Sequence, residues 1–224
     1  MYSFDALEII GHRSLPVPNT FYRLERRSNR LALVFPGRGY TSQAPLLHYT
    51  ISTLIAAGFN VLSVNYSYLH NNDFESLRRE EQMRWLYDDV EAAYHVATKK
   101  LDAEVDVLIG KSLGTIAIGH LLDKHPRLSQ CRVVWHTPLI LLPELQQQIK
   151  NHHPQSLFVI GTADPHYDQD TLAELVESTN GEAVVVEDAN HAMEVPGEVN
   201  DSLWIIGKII DSVGEFLGVT ASEG

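Results

Sequence analysis

The chain has 224 residues, of which 44% are hydrophobic, 21% charged and 8% aromatic, an ordinary globular composition with length for one sizeable core. Its 17 Lys and Arg against 29 Asp and Glu leave a formal charge of -12, which repels phosphate backbones and anionic bilayers, so neither nucleic acid nor membrane is expected as a partner. A single cysteine, Cys131, excludes an internal disulfide, no Cys/His cluster has zinc-ligand spacing, and no apolar run is long enough to span a bilayer.

Along the chain, Tyr2–Ile10 and Phe21–Arg26 alternate like an antiparallel hairpin at a sheet edge, with Pro16 and Pro18 between its strands. After it, apolar, β-branched runs at Leu31–Phe35, Asn60–Val64, Val105–Ile109, Arg132–Trp135, Ser156–Ile160 and Ala183–Val186 read as buried strands, because they are continuous rather than alternating. Leu46–Ala57 has helical composition. Leu77–Leu101 carries apolar residues at Met83, Leu86, Val90, Ala93, Ala97 and Leu101, and its flanks, Asp73 and Glu75 before and Lys99 and Lys100 after, suit the helix dipole. Thr115–Lys124 is a third helix closed by Pro126, and Leu203, Ile206, Ile210, Val213 and Leu217 give the last helix its apolar face. Gly218–Gly224 reads as a frayed tail. Strands alternating with helices predict an α/β fold, a mostly parallel central sheet flanked by helices on both faces. With no repeat, low-complexity tract or linker, residues 1–224 are expected to form one domain. Met1–Gly11 has no basic segment followed by an apolar one, so a cytoplasmic location is expected.

Gly110-Lys111-Ser112-Leu113-Gly114 stands between a buried strand and a helical segment. A strand-to-helix turn this sharp strains the serine backbone and needs glycine two residues to either side, where the backbones approach too closely for a Cβ. Its serine oxygen is then exposed at the C-terminal edge of the sheet beside a helix N-terminus; the bland alternative is a serine that merely caps the helix. A serine hydroxyl needs a base. Ser156–Ile160 runs into Gly161-Thr162-Ala163-Asp164-Pro165 and Ala183–Val186 into Glu187-Asp188-Ala189-Asn190-His191, and strand C-termini in an open α/β sheet share one edge, so Ser112, Asp164 and His191 converge in that chain order. Asp168 and Asp188 also lie near strand ends; Asp164 follows its strand most closely, and Asp168 suits the cap of the helix beginning near Thr171.

These motifs resemble the α/β-hydrolase superfamily, in particular its small single-domain bacterial serine hydrolases of the dienelactone-hydrolase-like kind, over nearly the whole chain. Pro36-Gly37-Arg38-Gly39 is similar to the family's oxyanion loop, with proline where the family usually has histidine. The resemblance implies Ser112 as nucleophile, His191 as general base and then acid, and Asp164 as the group orienting the imidazole. It implies oxyanion donors in the backbone N–H groups of Leu113 and Arg38. Gly37, Tyr66 and His136 are expected to contact substrate, although a histidine satisfied by local backbone is the commoner case at His136, and a solvated side chain the commoner case at Arg38 and Lys111. His152-His153 lacks metal-ligand spacing, and Cys131 reads as a small buried residue.

The interval from Thr137 to Pro154 is too short for a cap domain, so an open site is expected, with a further wall from Asn65–Phe74 and Thr137–Leu142. The expected function is cofactor-free, metal-free serine hydrolysis of a small-molecule acyl substrate: a carboxylic ester, with thioester and peptide as relatives of the same chemistry. The alternative is a degenerate binding or interaction module on the same fold. Self-association as a homodimer is left open.

Overall fold

A computed structural model describes residues 1–219 except Ser67 and Asp102, together with the Lys100 backbone but not its side chain; Thr220–Gly224, most of the expected tail, lie outside the described residues. Eight strands form one sheet: β1 (Tyr2–Asp5), β2 (Asn19–Leu24), β3 (Arg30–Phe35), β4 (Asn60–Val64), β5 (Glu104–Lys111), β6 (Arg132–His136), β7 (Gln155–Gly161) and β8 (Glu182–Val186). Their spatial order is β1-β2-β4-β3-β5-β6-β7-β8. The first two strands are the expected antiparallel edge, β2 pairing antiparallel to both β1 and β4, and every other pairing is parallel. The helices are α1 (Pro45–Ala56), α2 (Asn72–Glu75), α3 (Arg79–His95), α4 (Leu113–Lys124), α5 (Pro143–His152), α6 (Gln169–Thr179) and α7 (Val199–Phe216).

The central strands feed two cores by simple alternation. Leu31, Leu33 and Phe35 of β3 pack with α3, α4, α5 and α6 on one face, while Ala32 and Val34 pack with α1 and α7 on the other. Because both faces are covered, β3 is apolar at successive positions from Leu31 to Phe35 rather than at alternate ones.

Several elements differ from the sequence expectation, each for a local reason. Asp73 and Glu75 belong to the separate short helix α2, whose first turn is capped by the Asn71 side chain accepting from the Phe74 N–H. The long helix ends at His95 and continues as a π-helical turn, Val96–Lys100. In α7 the buried face is Ile205, Ile206, Ile209, Val213 and Phe216, and Leu203 is 59% exposed. The helix is therefore rotated from the face that Leu203 and Ile210 suggested. The edge strand β8 is not buried as expected: Val185 is 43% exposed. Between β6 and β7 lies only the connection 137–142 and α5, with no cap inserted.

The β5–α4 junction fixes where the sheet edge opens. A Cβ on Gly114 would collide with the Phe35 carbonyl oxygen, and one on Gly110 would lie 2.7 Å from the Gly114 oxygen. Neither neighbour is a flexible side-chain end, so the crossing of α4 over β3 and β5 tolerates only glycine. Gly114→Ala is accordingly expected to destabilise the fold by ~3 kcal/mol or more, in the class of overpacked cores. Gly207→Ala, on a helical position where nothing approaches within 4 Å, is expected to be neutral or to stabilise by ~0.5–1 kcal/mol. Urea unfolding of the two variants checks the contrast.

Candidate active site

β5 delivers its last residue, Lys111, into the sheet, and the chain then reverses into α4 through Ser112, whose backbone sits at φ 51° and ψ -112°. A serine at positive φ in this region is strained, and strain of this kind persists only where the surroundings over-determine it. They do so here: the Ser112 N–H donates to the His136 carbonyl at 3.0 Å, and the Thr115 N–H to the Ser112 carbonyl at 2.9 Å. The Ser112 side chain makes no capping bond to α4. Its hydroxyl instead donates to His191 Nε2 at 2.8 Å.

His191 comes from the loop after β8, and its Nδ1 lies 2.7 Å from Asp164 Oδ2, in the loop after β7. A carboxylate only accepts, so Nδ1 carries the proton and Nε2 is left to accept from the serine. Burial works to raise the Asp164 pKa, but hydrogen bonds from the His191 ring and the His166 N–H, the latter 2.8 Å from Oδ1, outweigh it and hold the carboxyl below its usual range. Thus Ser112, His191 and Asp164 form one hydrogen-bonded chain across three loops at one sheet edge. The other acids are elsewhere: Asp168 caps α6 by accepting from the Thr171 N–H at 2.9 Å, and Asp188 is exposed.

Lys111 departs from the solvated side chain expected of it. Only 1% exposed, it donates from Nζ to Thr137 Oγ1 and to the His191 carbonyl oxygen, both at 2.8 Å, and lies 4.4 Å from the centre of the Tyr40 ring. Burial pulls its pKa down to about 8 against the opposing pull of Asp164 and Glu194. The available signal was its place on β5, a strand covered on both faces, whose last side chain has little water to reach. Thr137, its partner, is itself buried at φ 40° with its N–H bonded to the Val159 carbonyl at 2.7 Å.

A cavity of about 620 Å³ opens over Ser112 and His191, with walls from Gly37–Tyr40, Ala163, Pro165 and Asn190. Gly37 lies in this wall as expected, its Cα side facing the Ser112 Cβ. The Gly37 N–H is taken by the Tyr40 carbonyl at 3.1 Å, which leaves the donors of this loop to the residues after it, Arg38 first among them. Leu113 is the first residue of α4, where helix N–H groups have no intrahelical acceptor. The Arg38 side chain is solvated, paired to Glu75 at 3.0 Å.

Two expected substrate contacts are corrected. His136 does not line the cavity: it is fully buried, Nε2 donating to Thr50 Oγ1 at 3.2 Å while Thr50 donates to the Leu46 carbonyl. Burial, reinforced by Lys111, takes its pKa down to about 3, so it stays neutral. Tyr66 lies in a neighbouring cavity of about 390 Å³ on the other side of the Pro36–Gly39 loop, with Leu69 and His70, and its hydroxyl donates to the Pro36 carbonyl at 2.7 Å. The segment 137–142 likewise contributes no wall; Ile140 is buried and Leu139 and Leu142 pack onto the core. Cys131 is buried as expected, its thiol pKa raised to about 12 by burial. Among the described residues no group of His, Cys, Asp and Glu has the geometry of a metal site, and no helix is long and apolar enough to cross a membrane.

Known structures share this architecture at low identity. Est1E from Butyrivibrio proteoclasticus, with ferulic acid bound, superposes with a TM-score of 0.73 at 13% identity, covering 94% of this chain and 98% of that one. Dienelactone hydrolase from Anabaena variabilis gives 0.67 at 16%, covering 97% of both chains. The Pyrococcus furiosus esterase Pf2001 gives 0.66 at 16%, covering 97% and 92%. No curated protein matches the sequence. Residues 29–204, which hold every member of the hydrogen-bonded chain, match the alpha/beta hydrolase domain, and the protein belongs to that family.

Proposed function

We propose that the protein is a serine hydrolase that cleaves a small carboxylic ester, or a related acyl bond, through an acyl-enzyme on Ser112. The observation that carries this reading is the continuous chain from Ser112 Oγ through His191 to a buried, ionised Asp164, opening on an uncapped cavity. A module that only bound a ligand has no use for a base hydrogen-bonded to a strained serine.

In this reaction Ser112 Oγ attacks the acyl carbon as its proton passes to His191 Nε2. The imidazolium so formed faces the Asp164 carboxylate, which never takes the proton. The oxyanion is held by the backbone N–H groups of Leu113 and Arg38, donors that cost no reorganisation when the charge develops. The leaving alcohol departs with the proton from Nε2, and water, deprotonated by the same nitrogen, releases the acid and restores Ser112. No step asks for a metal or a cofactor. The volume of the cavity suits a compact ligand, and the esterases and dienelactone hydrolase of similar fold agree with acyl chemistry.

The direct test is a fluorophosphonate probe read by intact mass, since it reports an activated serine without a known substrate. Wild type is expected to gain one adduct and Ser112→Ala none; an unlabelled wild type would sink the reading in favour of a binding module. Asp164→Asn is expected to lower kcat by on the order of 10³–10⁴-fold through the wrong imidazole tautomer. Asp168→Asn, where asparagine caps equally well, should stay within about twofold of wild type. Swapped effects would reassign the acid. The Asp164 carboxyl, with its lowered pKa, stays ionised on acidification beyond the point where an ordinary carboxylate takes up a proton, so it adds no proton to the acidic limb. The pH profile of kcat/KM with p-nitrophenyl acetate should therefore show a single-proton acidic limb, and a two-proton limb would contradict it.

A further inference from the structure

We propose that Lys111 is a positioning residue for His191: its ammonium fixes the histidine loop against the end of β6 and sets a positive charge beside the Asp164–His191 pair. This inference rests on the serine-hydrolase reading and deepens it.

The geometry is unusual for a lysine. The side chain is 1% exposed, yet no carboxylate bonds to it. Two of its three protons go to the Thr137 hydroxyl and the His191 carbonyl, and the ammonium faces the Tyr40 ring. One side chain therefore joins three segments that must agree for Ser112 and His191 to meet: the elbow itself, the β6 exit and the histidine loop. The bond to the His191 backbone matters because the His191 ring is otherwise held by its two polar partners and a tilted contact with the His166 ring, and the loop carrying it bends at positive φ at Asp188 and Met193.

The charge is a separable contribution. The titratable groups facing Lys111 are Asp164 after β7, His191 and Glu194 after β8, His136 at the end of β6 and Tyr40 after β3. His136 is neutral, and the two acids pull on the ammonium through space without contacting it. A cation so placed offsets part of the field of Asp164 and so opposes imidazolium formation before substrate arrives. A plain strut would lack this effect, because a neutral amine still has two N–H donors for the same two acceptors. With a pKa of about 8, Lys111 is charged at neutral pH and loses the charge, but not its donors, above that value.

The test compares wild type, Lys111→Met and Lys111→Arg, measuring kcat and KM for p-nitrophenyl acetate from pH 5 to 9, fluorophosphonate labelling rates and thermal melts. Lys111→Met is expected to fold, to lose about tenfold in kcat with KM changed less than about twofold, and to move the acidic limb of kcat/KM up by about half a pH unit or more. Lys111→Arg should return the limb toward wild type by restoring the charge, whatever its kcat. If Lys111→Met does not fold, Lys111→Gln, a neutral donor, is read the same way. A variant with wild-type rate and limb overturns the proposal, and so does one that loses rate with the limb unmoved, which marks a strut. Labelled wild type with unchanged Lys111 variants removes only this inference; unlabelled wild type removes the serine-hydrolase reading and this one with it.

Discussion

Between Gly114 and the Phe35 carbonyl there is no room for a methyl group, and much of the molecule follows from that contact. It lets α4 start at the sheet edge rather than beyond it, so the chain must turn from strand to helix within a single residue. That residue is Ser112, and its positive φ is the geometric result. The strain is affordable because β5 sits mid-sheet, paired along its length with β3 and β6, and because the cores on both faces fix α4. An exposed serine oxygen beside unsatisfied helix N–H groups is thus a product of close packing elsewhere.

Electrostatics then decides which protonation states the site can hold. Asp164 is buried but ionised, since the hydrogen bonds and charge contributions of His191 and His166 outweigh its desolvation. His136, only one strand away, is buried and neutral, because nothing there stabilises an imidazolium and Lys111 opposes it. His136 and His191 therefore divide cleanly: one supports the Ser112 backbone through its carbonyl, the other presents its ring to the hydroxyl. A buried lysine between them is a costly element by desolvation, and its donors go to the Thr137 hydroxyl and to the backbone carbonyl of the residue that bears the second ring.

The fold and the Ser112–His191–Asp164 chain were legible in the sequence because both rest on short-range signals: continuous apolar runs, glycine spacing, and polar residues placed just past strand ends. What was not legible depended on rotation or on packing from other segments. The apolar residues of α7 fit more than one face, and only contact with α1 and the sheet selects Ile205, Ile209 and Val213 over Leu203. Tyr66 lies at the correct sheet edge, but its hydroxyl is drawn to the Pro36 carbonyl, which turns the ring to the far side of the Pro36–Gly39 loop. His136 and Lys111 are adjacent in register on β6 and β5, and both are enclosed, one by α1 through Thr50 and the other by the histidine loop. Strand-end position gives the edge; it does not give the direction in which a side chain leaves it.

The divided space around Pro36–Gly39 bears on what such a site accepts. The cavity over Ser112 and the one beside Tyr66 share Gly37, Arg38 and Gly39 as a common wall, and the Arg38 side chain is turned outward to Glu75. In the proposed reaction that wall carries an oxyanion donor, and a substrate extending past it meets the second cavity's lining, Arg38, Tyr66, Leu69 and His70 among it. The net charge of -12 adds long-range repulsion for anions that the site does not locally offset except through the buried Lys111. Under the proposed reaction that field works against anionic substrates, and discrimination among neutral acyl compounds would fall to shape, where one methylene is worth ~1–3 kcal/mol.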